Sequence, residues 1–306
     1  MSMPAGLPIG TTSVTASRGA LARALRRPEA LVGGVLLLLI AGAAVLAPWL
    51  GTVDPVAIDP IARNLPPGAI MTVTRPDGST IERLALFGTD GLGRDLWSRV
   101  LYGGRASLAI GISAALLSGV CGAVIGLLAG YWRWFDWIAM RVMDGLMAIP
   151  GILLAIGLVS VWRAGVITVV IAIMVPEMPR VARLVRSVAL RIRAEPYVEA
   201  AEAVGSSSAR IIWRHVTPGV LGPLAVQCAF ACATAILIEA ALSFLGVGVP
   251  LETPTWGNVM SEGRQWFRLY PQTILIPGVF VAVTVLAVNL VGDGLRDAFD
   301  PVGRAR

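Results

Sequence analysis

The sequence predicts an all-α polytopic membrane protein with six transmembrane helices. Hydrophobic residues make up 56% of the 306-residue chain and charged residues only 14%, a balance outside the range of soluble globular domains. Six apolar stretches are long enough, or nearly so, to cross a hydrocarbon core of roughly 30 Å as helices. These stretches are residues 31–50, 107–129, 138–161, 166–181, 220–244 and 273–291.

Two of these spans need separate justification. The first has no charged residue over its 20 positions. A cleaved signal peptide is the alternative interpretation, but the apolar run is longer than a usual signal core and Pro48 follows the would-be cleavage point. The fourth span is short and contains Pro176, Glu177 and Pro179, so the sequence leaves its inner end open.

The segments between the spans divide the chain. We expect an N-terminal tail at 1–30, with 1–17 disordered, an exterior segment at 51–104, a core of five spans at 105–295 and a C-terminal tail at 296–306. Within the exterior segment, the Arg-Pro-Asp-Gly sequence at 75–78 predicts a turn between two short strands. A second exterior segment, 246–271, is expected to be an ordered interfacial loop. All 25 basic residues are arginine, and most lie on the cytoplasmic side if both termini are cytoplasmic.

A polar island, residues 191–218, separates two apolar stretches. Glu195, Glu199 and Glu202 share one helical face, and Gly205 with the following serines predicts a turn. A second short helix carrying Arg210 and Arg214 is expected to end at Pro218. Such short helices need a partner groove or tertiary packing. The island therefore indicates a cytoplasmic docking site, with a merely solvated loop as the alternative.

Residue types exclude several kinds of chemistry. The chain has no lysine, which a Walker-type phosphate loop or a Schiff base requires. The one histidine, His215, cannot form a multi-histidine metal site. Cys121, Cys228 and Cys232 all lie in predicted spans. A soft-metal site at Cys228 and Cys232 is the alternative to buried thiols, which are the preferred interpretation. We therefore expect no cofactor or metal on this chain.

Three acids lie in predicted spans: Asp144, Glu177 and Glu239. A carboxylate near the bilayer centre costs about 2.5–3.5 kcal/mol on insertion scales, so Glu239 should face the bundle interior, a water-filled path or a partner subunit. The sequence leaves open whether Glu239 lines a translocation path or the contact with a partner subunit, or is a structural acid. For Asp144, close to the interface, a structural role is preferred.

Four ordered blocks resemble one family. EAAEAVG at 199–205, with Pro218 thirteen residues later, is similar to the EAA loop of bacterial ABC-importer permeases. FGTDGLGRDLWSRVLYGGRASL, PTWGNVM and NLVGDGLRDAFDP, beginning at Phe87, Pro254 and Asn289, resemble the C-type permease of dipeptide, oligopeptide and nickel importers. The resemblance covers roughly 31–301. One departure is Thr217, where the family usually has an apolar residue.

The resemblance implies that the protein is a type I importer permease of a bacterial inner membrane. Nucleic acid is not among the partners that it implies. Its partners would be a homologous permease, two ATPases that bind ATP and Mg²⁺, an exterior receptor and membrane lipid. The implied ATPase-coupling residues are Glu199, Ala200, Ala201, Gly205, Arg210, Arg214 and Pro218. The residues implied for the translocation path or for the contact with the partner permease are Glu239, Ser243, Phe244, Asp144 and Pro150. The implied receptor contacts are Arg94, Asp95, Arg99, Trp256 and Gly257.

The family implies alternating access without catalysis by this chain. Peptides are the expected cargo, and nickel complexes, glutathione and other small solutes remain alternatives. Two other functions are weighed: an intramembrane enzyme using the three acids, and a proton-coupled carrier that would work without ATPases.

Overall fold

The computed structural model describes residues 27–74, 80–162 and 164–299. Within these ranges the chain forms ten α-helices and one two-stranded sheet. The order is α1 (Pro28–Val45), β1 (Ala69–Thr74), β2 (Thr80–Ala85), α2 (Leu96–Tyr131), α3 (Arg133–Ala148), α4 (Gly151–Val161), α5 (Val166–Arg193), α6 (Pro196–Ala203), α7 (Ser208–Ile211), α8 (Thr217–Phe244), α9 (Trp256–Gly263) and α10 (Gln272–Phe299). The predicted helical membrane fold is confirmed.

Length and composition support four spans, or five if a bent helix pair counts as one. The four are α1, α2, the continuous helix from Ser208 to Phe244, and α10; the bent pair is α3 with α4. The remaining predicted span, 166–181, is the first part of α5. Its residues 166–175 carry no charge, but Glu177 and several arginines follow, so α5 as a whole is less apolar than the others.

Helix α5 runs unbroken through Pro176 and Pro179 to Arg193. The two prolines therefore do not end the fourth span, and the first residues of the predicted island belong to this helix. At about 1.5 Å per residue the 28 residues of α5 measure about 42 Å, and the 36 residues of α2 about 54 Å. Both helices exceed the roughly 30 Å hydrocarbon core.

The third predicted span, 138–161, is not one straight helix. Helices α3 and α4 meet at an angle of 93°. Ile149 adopts an extended conformation, and Pro150 is the N-cap residue of α4. A proline supplies no backbone N–H and disfavours helical geometry in the residue before it, so the chain bends here.

The exterior segment contains the predicted hairpin. Strands β1 and β2 are antiparallel, with Ala69 opposite Ala85 and Thr74 opposite Thr80. The predicted turn at 75–78 lies outside the described residues, as do the predictions for 1–26 and 300–306. The hairpin packs through Met71 and Ala85 onto Ala62, which gives this segment a small core of its own.

The second exterior segment contains a helix where a loop was expected. Thr255 caps α9, accepting from the Asn258 N–H while the Asn258 side chain accepts from the Thr255 N–H. Trp256 is fully buried, and its Nε1 donates to the Val100 carbonyl at 2.9 Å. A capping box of this kind fixes the helix start, so α9 is anchored against α2.

A row of glycines allows α2 and α5 to pack closely. Gly122, Gly126 and Gly130 recur every four residues along α2, and they face Val181, Val185 and Ala189, which have the same spacing along α5. A Cβ at Gly126 would lie 2.5 Å from the Ala182 carbonyl oxygen and 2.7 Å from the Val185 Cβ. Small residues at such spacing let helix backbones approach in a membrane. We call this contact the glycine seam.

The seam can be tested with Gly126→Ala. The added methyl group meets α5 backbone, which cannot rotate away, and overpacking of this kind costs about 1–3 kcal/mol. We expect a lower melting temperature of the detergent-solubilised protein, measured by loss of its size-exclusion peak after heating.

Gly145→Ala on α3 is the matched control, because no atom lies within 4 Å of its added Cβ. This variant should melt at the wild-type temperature or slightly above it, since alanine is the better helix former. Equal melting temperatures for the two variants would rule out a tight seam.

Candidate functional site

The first half of the polar island is an exposed helix followed by a tight turn. Glu199 and Ala200 on α6 are exposed and Ala201 is half-buried. Gly205 has a φ of +82°, and no atom lies within 4 Å of the position of a Cβ. A left-handed backbone favours glycine, so the turn predicted at Gly205 is present and its outer side is open.

The second half of the island differs from the prediction. Helix α7 continues through a π-helical turn, Ile212–Val216, into α8, so Pro218 does not end a helix. Pro218 instead lies in the first turn of α8, directly after the π-helical turn. Ser207 is the N-cap of α7, but its side chain makes no capping hydrogen bond. Arg210 and Arg214 are exposed, as contact with an ATPase subunit would require.

The island is held on the body by a small apolar core. Val198 of α6 and Ile211 of α7 are fully buried, and they pack with Val216 and Val220 against the C-terminal half of α5. The neighbouring α5 residues in this cluster are Val181, Val185, Val188 and Ala189. Three of these, Val181, Val185 and Ala189, also face glycines of the seam, so the island and the seam share one side of α5.

Three large apolar side chains of the island face outward. Tyr197 is 51% exposed, Val204 82% and Trp213 78%. Sequence reasoning did not select these residues, although apolar residues inside a polar segment were a signal that could have found them. Exposed aromatic side chains such as Tyr197 and Trp213 are enriched at protein-binding surfaces.

Glu239 lies in a buried polar cluster. It is fully buried; the Ser107 hydroxyl donates to its Oε2 at 2.9 Å and the Ser243 hydroxyl to its Oε1 at 2.8 Å. Ser107 in turn accepts from the N–H of Trp256 at 3.2 Å. The cluster thus joins α8 to α2 and to the first turn of α9. This placement favours the structural alternative for Glu239, and Ser243 belongs to the same cluster.

The other predicted path residues lie elsewhere. Asp144 forms an ion pair with Arg183, which joins α3 to α5, in agreement with its preferred structural role. Pro150 is exposed at the bend, and Phe244 is half-buried beneath Arg264. The structure therefore does not bring these residues together with Glu239.

A second ion pair on α3 reinforces the first. Asp136 accepts two hydrogen bonds from Arg186, and this contact, with the charges of Asp136 and Asp144, raises the pKa of the Arg186 guanidinium above its ordinary value against the opposing effect of burial. The hydrogen bonds to Asp136 are the largest cause. Helix α3 is therefore fixed to α5 at two points.

The residues predicted to contact a receptor are buried. Arg94, Asp95, Arg99 and Trp256 have almost no exposed surface, and Gly257 is also buried. Arg94 and Arg99 both pair with Asp90 and with Glu262 of α9, with an Arg99–Asp90 distance of 2.5 Å. Asp95 caps α2 by accepting from the Ser98 N–H. This arrangement argues against direct receptor contact, because these side chains bind α9 to the start of α2.

Comparison with known proteins identifies the class. The chain matches a family described as the binding-protein-dependent transport system inner membrane component over residues 122–302. It also matches the N-terminal transmembrane domain of oligopeptide transport permease C over residues 15–67. An inward-facing structure of the MetNI methionine ABC transporter has the same fold, with a TM-score of 0.56 and 18% identity over 66% of this chain and 97% of that chain.

Three relatives narrow the family. A probable peptide ABC transporter permease of Sinorhizobium fredii is 50% identical over 92% of both chains. A dipeptide transport system permease of Alkalihalophilus pseudofirmus is 43% identical over 70% of this chain and 71% of its own. A glutathione transport system permease of Pectobacterium atrosepticum is 42% identical over the same shares. The chain belongs to the family of binding-protein-dependent inner-membrane permeases of ABC transporters.

The structural role of Glu239 can be tested with two variants. Glu239→Leu should lower the melting temperature, because the buried hydroxyls of Ser107 and Ser243 lose their acceptor, at a cost of about 1–3 kcal/mol each. Glu239→Gln keeps an acceptor oxygen, and we expect the reconstituted transporter to retain its ratio of uptake to ATP hydrolysis. If Glu239→Gln changes that ratio without changing the melting temperature, Glu239 serves the path instead.

Proposed function

We propose that this permease imports peptides by alternating access and that the polar island couples it to ATPases. The observation that carries the proposal is the island surface, where an open Gly205 turn lies beside the exposed Glu199 and Ala200 and the exposed apolar residues. Small residues and a glycine turn permit close insertion into a groove. The exposed aromatic side chains supply apolar surface for a docking contact.

The proposed assembly contains a second permease, two ATPases and an exterior receptor. Family membership supports this composition in general terms. The chain contains no lysine, so a phosphate loop of the Walker type must belong to another subunit. ATP and Mg²⁺ therefore bind to the partner ATPases, and this subunit performs no catalysis itself.

We place the island and both termini in the cytoplasm. The arginine distribution supports this orientation, since the C-terminal half of α5 alone carries Arg180, Arg183, Arg186, Arg191 and Arg193. In that orientation the hairpin and α9 lie outside, where a receptor would arrive. The receptor would contact exposed residues of this exterior face rather than the buried Arg94, Arg99 or Trp256.

Peptides are the proposed cargo. The relatives that match over most of the chain are named for peptide, dipeptide and glutathione transport. All of these names describe small solutes with peptide bonds. Nickel complexes remain an alternative outcome of an uptake assay.

The geometry gives little support to an intramembrane enzyme. Each of the three acids has a different partner: Asp144 pairs with Arg183, Glu177 with Arg180 and Glu239 with hydroxyl groups. An active site would require these groups to converge. A proton-coupled carrier would leave the exposed island surface without a role.

Gly205→Asp tests the docking role. The carboxylate would lose its hydration in a packed groove, so we expect the permease to reach the membrane but retain less ATPase on co-purification. Gly246→Asp is the matched control, because Gly246 has a φ of +81° and equally open surroundings at the opposite end of α8. Equal ATPase recovery for both variants, with uptake intact, would contradict the docking role.

A further inference from the structure

We propose that Tyr131, Arg193 and Glu202 form a clamp that passes motion of the island to the glycine seam. The proposal rests on the proposed coupling of the island to ATPases and identifies how the movement would continue into the spans. The three residues are positioning residues, because they act through the helices that they join.

The clamp is a closed set of contacts between three helices. Arg193 donates from Nη1 to the Tyr131 carbonyl at 2.9 Å, and its guanidinium carbon lies 4.6 Å from the centre of the Tyr131 ring. The Tyr131 hydroxyl donates to Glu202 Oε1 at 3.3 Å. The same carboxylate oxygen lies 3.7 Å from Arg193 Nε. Each residue therefore contacts the other two.

The position of the clamp links the island to the seam. Tyr131 directly follows Gly130, the last glycine of the seam, and it is the last residue of α2. Arg193 is the last residue of α5, four positions after Ala189. Glu202 lies on α6, two residues before Val204 and three before the Gly205 turn. The clamp therefore connects the ends of both seam helices to the island.

Few other contacts hold α6 against the body. Val198 is its one buried side chain among the described residues of that helix. Only Ala194 and Glu195 separate α5 from α6 along the chain. Without the clamp, a displacement of the Gly205 turn would bend this short connection and would not reach α2 or the seam. With it, displacement of α6 acts on α2 and α5 together.

The clamp is poorly suited to a role in stability alone. Arg193 and Glu202 are 38% and 39% exposed, and solvent weakens half-exposed ion pairs. The stacked guanidinium instead fixes an orientation that lysine could not reproduce. A contact with little effect on stability and a well-defined geometry fits a transmitting role.

The test uses the complete importer reconstituted with its partner permease, ATPases and receptor. Receptor-stimulated ATP hydrolysis and uptake of a defined mixture of di- and tripeptides, quantified by mass spectrometry, are measured in the same vesicles. For Glu202→Ala and Tyr131→Phe we expect normal ATPase co-purification and a fall of about fivefold in uptake per ATP hydrolysed, the lower end of coupling effects between sites. Glu202→Gln, which can still accept from the Tyr131 hydroxyl, should lose less.

A double variant and a control complete the design. Tyr131→Phe combined with Glu202→Ala should be no worse than Glu202→Ala alone, because both remove the same contact. Glu195→Ala, directly before the same helix and outside the clamp, should retain the wild-type ratio. An unchanged ratio in the clamp variants, or additive losses in the double variant, would overturn the clamp while leaving the proposed function in place. Loss of ATPase attachment in Glu202→Ala would make Glu202 a docking residue instead. Unimpaired attachment and uptake in Gly205→Asp would reject the proposed coupling, and the clamp with it.

Discussion

The close contact between α2 and α5 is the constraint on which the rest of the molecule depends. In a bilayer the solvent is as apolar as the side chains, so helices associate through close packing rather than through burial of apolar area. Gly122, Gly126 and Gly130 permit that packing with Val181, Val185 and Ala189. Both helices are longer than the hydrocarbon core is thick. The island packs on the same face of α5 that forms the seam.

Buried charged and polar side chains join separate elements of the structure. Asp90, Arg94, Arg99 and Glu262 join the exterior segment, α2 and α9, and Glu239 with Ser107 joins α8 to α2. Removing one partner of a buried pair is costly, because the remaining charge is left uncompensated. These contacts hold the end of the bundle at which α9 lies, while the apolar cluster around Val198 and Ile211 holds the island.

The sequence predicted the class of fold, the hairpin and the Gly205 turn, because hydropathy, turn residues and glycine preferences are local properties. It left the inner end of the fourth span open at Pro176 and Pro179, where the structure continues the helix, and it missed the bend at Pro150, because the effect of a proline depends on its neighbours. It could not assign Glu239, because its partner Ser107, and Trp256 which donates to Ser107, are distant from it in sequence. The exposure of Val204 and Trp213 likewise depends on how the island packs.

The most direct test of this account is a distance measurement across the seam during the ATP cycle. Spin labels at exposed positions of α2 and α5, Val120 and Ser187, would report the seam, and labels at Ser187 and the aligned residue of the partner permease would report opening. The account predicts that vanadate-trapped ATP changes the distance between subunits and leaves the distance across the seam unchanged. A change across the seam as large as that between the subunits would contradict the claim that α2 and α5 move as one body.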